Sequence, residues 1–138
     1  VSATHVPDWI SEFGEEWAVP DEIAKAEGIE DMSWHNDVCP SFGRHVAEYG
    51  YTYAHTVRVW CDHPDPEESG WGPRGDVPRF TVTYTADAEP DAVRGVPCVG
   101  LDGSEWMSDD PADALRVLVR SLEYVRAEVR DREADRAG

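Results

Sequence analysis

Two short stretches collect most of the side chains that can do chemistry. Ser33-Trp34-His35-Asn36-Asp37-Val38-Cys39-Pro40-Ser41-Phe42 sets an imidazole, a carboxylate and a thiol at alternate positions. In an extended chain His35, Asp37 and Cys39 project to one side, because strand side chains alternate. The second stretch is Trp60-Cys61-Asp62-His63-Pro64-Asp65-Pro66-Glu67-Glu68. If it brings His63 alongside, the four form a candidate metal-ligating set of the donor types zinc accepts. The spacing matches no paired Cys-x-x-Cys pattern. The plainer expectation is that Trp34 and Phe42 anchor a core while His35, Asn36 and Asp37 make turn hydrogen bonds. His63, between Asp62 and Asp65, has the chemistry of a general base. It opens a proline-rich loop, however, where acids commonly serve solvation.

Other catalytic signatures are missing. The chain has no glycine-rich phosphate loop, no G-x-S-x-G elbow and no H-E-x-x-H pair. No catalytic residue and no cofactor are assigned, and a non-enzymatic role is the expectation. Binding residues are easier to nominate. Trp60 falls on the opposite strand face from Tyr51, Tyr53 and Val57, and Trp71 sits in a loop rich in glycine and proline. Exposed tryptophans anchor binding hot spots. Trp60 and Trp71, with the acids Asp62, Asp65, Glu67 and Glu68, are therefore the candidate contact patch. Glu15, Glu16, Asp21, Glu22, Glu30 and Asp31 offer a second acidic patch.

The charge balance sets the kind of partner. The 138 residues carry 29 acids and 12 bases, a net charge of −17. Six arginines and five acids fall after residue 114, so residues 1–114 hold 24 acids against six bases. Self-repulsion on that scale weakens a compact state. A GC-rich coding background explains part of it, since one lysine accompanies eleven arginines and Asn36 is the only asparagine. A functional account is an acidic surface that imitates nucleic-acid phosphates for a basic protein. Arg74, Arg79 and Arg94 are too few and too surrounded by acids for direct nucleic-acid binding.

Length and composition expect one domain over residues 1–138, with an apolar share of 41%. Three cysteines, Cys39, Cys61 and Cys98, suit reduced thiols in a cytoplasm better than a disulfide framework. No apolar run is long enough for a bilayer, so no membrane partner is expected.

The elements that must position these residues follow from periodicity. Trp9, Phe13 and Trp17 recur every four residues over Pro7–Trp17, which predicts one helix, and Pro20–Glu27 predicts a second. Tyr51–Asp62 and Arg79–Ala86 alternate as strands that pair antiparallel across the Pro64–Pro78 loop. Val96–Leu101 reads as a third strand, closed by Asp102-Gly103, and a fourth is expected near Trp34–Phe42. Asp110 as a cap and Pro111 at the first helical position start a long C-terminal helix. Its apolar face is Ala112, Leu115, Leu118, Val119, Leu122, Val125 and Val129. The fold class is α+β: an antiparallel sheet of three to four strands, packed by that helix, with two short N-terminal helices.

The segments Ser33–Asp37, Cys39–Phe42 and Asp62–Pro66, with Trp60, resemble small proteins of actinobacteria and their phages. The resemblance covers about 45 residues and implies no activity. It implies a GC-rich rather than saline origin, and an inhibitor or accessory role.

The leading expectation is a protein-binding domain, in its finer form an acidic inhibitor of a basic, nucleic-acid-handling protein. The alternatives are a small metal-binding protein or metal-dependent hydrolase built on His35, Asp37, Cys39 and His63, and a structural accessory subunit.

Overall fold

The sheet is built around a tight hairpin. Strands β2 (Ser41–Glu48) and β3 (Tyr51–Cys61) are joined by Tyr49-Gly50, whose φ angles of 52° and 81° are both positive. That pairing of signs is the I′ turn, whose twist matches two flanking strands. Gly50 takes the left-handed conformation freely; Tyr49 does not. Three contacts to the far end of the C-terminal helix hold Tyr49 there. Its N–H donates to Glu133 Oε2 at 3.0 Å, its hydroxyl donates to the Arg132 carbonyl at 2.9 Å, and Arg136 lies 4.3 Å over its ring.

A computed structural model describes residues 7–98 and 105–137 of the chain. Five strands run in sequence order as an antiparallel meander: β1 (Glu30–Asp31), β2, β3, β4 (Phe80–Ala86) and β5 (Trp106–Ser108). Helix α3 (Pro111–Ala137) packs across one face, and α1 (Asp8–Glu12) and α2 (Asp21–Ala24) lie N-terminal to the sheet. The α+β class holds, with one strand more than expected. Among the described residues no helix is long and apolar enough to cross a membrane.

The core lies between the sheet and α3. Phe42 pairs with Val59, Val59 with Val82, and Cys61 with Phe80, so a row of apolar side chains faces Leu118, Leu122 and Val125. Buried among them, His55 is fully enclosed. Tyr84 Oη accepts the Val93 N–H at 2.7 Å and lies 2.8 Å from His55 Nδ1. His55 Nε2 lies 2.7 Å from Glu48 Oε1, a carboxylate oxygen that accepts. Arg132 of α3 lies 3.6 Å from the same carboxylate oxygen, so the chain of polar groups ends in a paired charge.

Several expectations change. The single helix over Pro7–Trp17 is broken: Gly14 has φ 113° and a separate 3₁₀ turn covers Glu15–Trp17. Residues 96–98 form turns with Val96 and Cys98 buried, and residues 99–101 of the expected third strand lie outside the described residues. The expected fourth strand at Trp34–Phe42 begins only at Ser41, and its earlier half is turn. Trp34 is 51% exposed and anchors no core. Tyr51 and Tyr53 are exposed although they alternate with His55, and the β2–β3 register is irregular beside them, between Val46 and Glu48. On α3, Ala114, Val117 and Ser121 are buried where Ala112 and Val119 were expected.

Candidate functional site

The face of the sheet turned away from α3 is partly open: Thr85 and Met107 are exposed, Arg58, Trp60 and Thr83 half-buried, and Thr56 and Thr81 buried. Its residues come from the alternate positions of the central strands. Thr56, Arg58 and Trp60 of β3 stand beside Thr85, Thr83 and Thr81 of β4, and Met107 of β5 lies opposite Thr81. Over this floor the Asp62–Pro78 segment and the Asn36–Val38 turn form the walls of a cleft of about 850 Å³. Gly70 joins the two walls: a Cβ at this position would stand 1.8 Å from the Val38 carbonyl oxygen. Only glycine permits that approach.

Trp60 is fixed on the floor. Its Nε1–H donates to Thr83 Oγ1 at 3.0 Å, and the Arg58 guanidinium stacks 4.5 Å over its ring. Arg58 donates in turn to Ser41 Oγ at 3.4 Å. Burial lowers the Arg58 pKa from its ordinary value, with the charge of Asp37 acting in the opposite sense. Trp71, on the loop, is 56% exposed.

That loop contains no strand, yet it is tightly tied. Asp62 is 1% exposed and accepts four hydrogen bonds. Its Oδ1 takes the His63 N–H at 2.8 Å and the Gly70 N–H at 3.1 Å. Its Oδ2 takes Ser69 Oγ at 2.5 Å and Arg74 at 3.4 Å. Arg74 also donates to the His63 carbonyl at 2.6 Å. Arg79 closes the base, donating to the Asp62 carbonyl at 2.8 Å and to the Trp17 carbonyl at 2.7 Å. A carboxylate with four donors compensates its desolvation, whereas an unpaired one at this depth would not be tolerated.

The expected contact patch therefore divides. Asp65, Glu67, Glu68 and Trp71 are exposed, and Trp60 is half-buried on the cleft floor. Asp62 is corrected: it is an internal tie of the loop and presents nothing to a partner. Asp65 is also a cap: its Oδ1 accepts the Glu67 N–H at 3.0 Å at the start of the 3₁₀ turn Pro66–Glu68.

His35, Asp37, Cys39 and His63 are not gathered. His35 pairs at the surface with Glu12 at 2.6 Å. His63 Nδ1 accepts the Asp65 N–H at 3.0 Å, and its ring meets Trp17 edge-on at 5.1 Å. Cys39 is buried, and burial pushes its thiol far up, away from the thiolate a metal needs. Cys61 is buried and shifted the same way. Among the described residues no three His, Cys, Asp or Glu side chains converge to hold a metal ion. The ligand set expected from alternation fails because residues 35–39 form turn rather than strand.

Sequence reasoning missed the threonine floor and the Asp62–Arg74 tie. The alternation of Thr81, Thr83 and Thr85 was the available signal for the first. Nothing in the spacing of Asp62 and Arg74 signals the second. No protein-family model, no curated protein and no solved structure matches this chain.

Proposed function

We propose that this chain is a non-enzymatic protein-binding domain that docks a basic partner on the side of the sheet turned away from α3, at the cleft between Trp60 and Trp71. The single observation that carries the reading is the exposed indole of Trp71 on a loop held by a buried, fully bonded Asp62. A large apolar ring displayed on a pre-organised loop loses little conformational freedom on binding, which is what distinguishes an anchor from a mobile surface side chain. Glu67 and Glu68, exposed on the same loop, supply the charge that steers a cationic surface toward it.

In its finer form the domain is an acidic inhibitor that occupies the nucleic-acid site of a basic protein. The net charge of −17 supports this, and the resemblance to phage proteins fits an inhibitory role. The test is capture from a low-salt bacterial lysate on immobilised protein, with stepwise salt elution and competition by duplex DNA. A nucleic-acid-handling protein should be retained by the wild type, released by salt and displaced by DNA. It should be lost on Glu67→Lys with Glu68→Lys, or on Trp71→Ala. Identical captured sets for wild type and variants would overturn the reading.

A further inference from the structure

We infer that the cleft recognises arginine specifically, so that the docked segment of the partner inserts a guanidinium against Trp71 between the carboxylates of Asp37 and Glu105. The inference rests on the docking surface proposed above and names the chemistry of what enters it. Asp37 and Glu105 both line the cleft, and neither carboxylate has a hydrogen bond or ion pair among the described residues. Arg74, which also lines it, is already engaged by Asp62 and by the His63 carbonyl. Arg58 is held over Trp60 and against Ser41. Among the described residues the walls thus offer two carboxylates without an ion pair, Asp37 lying within the field of Arg58, and the exposed indole stands on the loop wall that Gly70 joins to the 36–38 turn at Val38.

The shape and hydration of the two cations favour arginine over lysine. Guanidinium stacking on aromatic rings is seen within the chain itself, at Arg58 on Trp60, Arg79 on Phe80 and Arg136 on Tyr49. A planar, weakly hydrated guanidinium can cover an indole and still donate in its own plane to two carboxylates. A compact, strongly hydrated ammonium cannot do both.

The experiment is titration of the intact protein with three capped peptides, each placing two arginines, two lysines or two citrullines among glycines. Indole fluorescence and calorimetry report binding. The arginine peptide should bind about threefold to tenfold more tightly than the lysine peptide, the range expected of a cation on an aromatic face. Citrulline, which keeps the planar shape without the charge, should bind least. Trp71→Leu, and Asp37→Asn with Glu105→Gln, should each abolish the preference, and Trp71→Phe should retain most of it. Asp131→Asn with Asp135→Asn removes equal charge at the exposed end of α3, away from the cleft, and should leave the preference unchanged. Equal affinity for arginine and lysine, or equal losses in the α3 control, would overturn the inference as mere attraction to an acidic molecule. If no peptide binds while Trp71→Leu still loses the lysate partner, the arginine assignment falls and the docking surface stands. If Trp71→Leu changes neither, both fall.

Discussion

At the scale of single residues, burial and hydrogen bonding separate two kinds of acid that look alike in sequence. Asp62 and Asp65 stand three apart in one acidic run, yet one organises the loop from inside and the other caps an exposed turn. Replacing Asp62 with alanine would leave the Arg74 guanidinium, itself 8% exposed, without its carboxylate. Breaking a buried pair in this way costs about 3–5 kcal/mol. Asp62→Ala should lower the denaturation midpoint accordingly and shift Trp71 emission, while Glu67→Ala should move the midpoint little. His45 offers a pH test. Its Nδ1 lies 2.8 Å from Thr56 Oγ1 and its ring meets Tyr53 edge-on at 4.7 Å. Burial lowers its pKa, and Arg58 adds to the shift. A lowered value favours the neutral ring in the folded state. The stabilisation is therefore complete above the ordinary histidine pKa of about 6.5 and is lost as pH falls through the folded value. The slope of melting temperature between pH 7 and pH 5 should be less steep in His45→Gln than in wild type. An unchanged slope would remove His45 as a contributor.

At the scale of elements, legibility followed the regularity of burial. Strand β4 was readable because Phe80 and Val82 alternate with Thr81 and Thr83 without interruption, and α3 because Leu118, Leu122, Val125 and Val129 return at helical spacing. Strand β2 was hidden because polar Arg44 and Glu48 share the helix-facing side with Phe42 and Val46, Arg44 paired with Glu30 and Glu48 with His55 and Arg132. Half of the cleft was legible in the same sense. Trp60 and Trp71 could be nominated from residue type and loop position. The opposite wall at Asn36–Val38 depends on the Gly70–Val38 contact, which no local pattern encodes. Gly70→Ala should thus force the two walls apart, with a loss of about 1–3 kcal/mol for the overpacked site. It should also weaken whatever the cleft binds, even though Gly70 lies outside the contact residues. The polar chain through β2, β3 and β4 makes a second prediction. Tyr84→Phe removes the hydroxyl that accepts from Val93 and bonds His55 Nδ1, leaving two buried polar atoms unmatched. A loss of about 2–4 kcal/mol is expected. Faster hydrogen exchange at the Val93 amide should accompany it, distinguishing a broken bond from general loosening.

At the scale of the whole molecule, one property acts in opposite directions on stability and on binding. A chain of net charge −17 is strained by its own field, and several of its cations are already engaged in defined contacts: Arg44 with Glu30, Arg74 with Asp62, Arg132 with Glu48. Added salt screens the residual repulsion over about 10 Å at 0.1 M, so the folded state should gain stability as sodium chloride rises from low ionic strength. A partner drawn to the acidic loop by charge is screened in the same way, and its affinity should fall over the same range. The two slopes are measured on one preparation, by thermal melting and by titration with the captured partner. Opposite signs are expected for the wild type. Glu67→Lys with Glu68→Lys, by lowering net negative charge, should flatten both slopes together. If binding were insensitive to salt while melting rose steeply, the acidity would be a feature of the molecule's surface with no part in recognition. Trp71 and the threonine floor would then have to carry the contact alone.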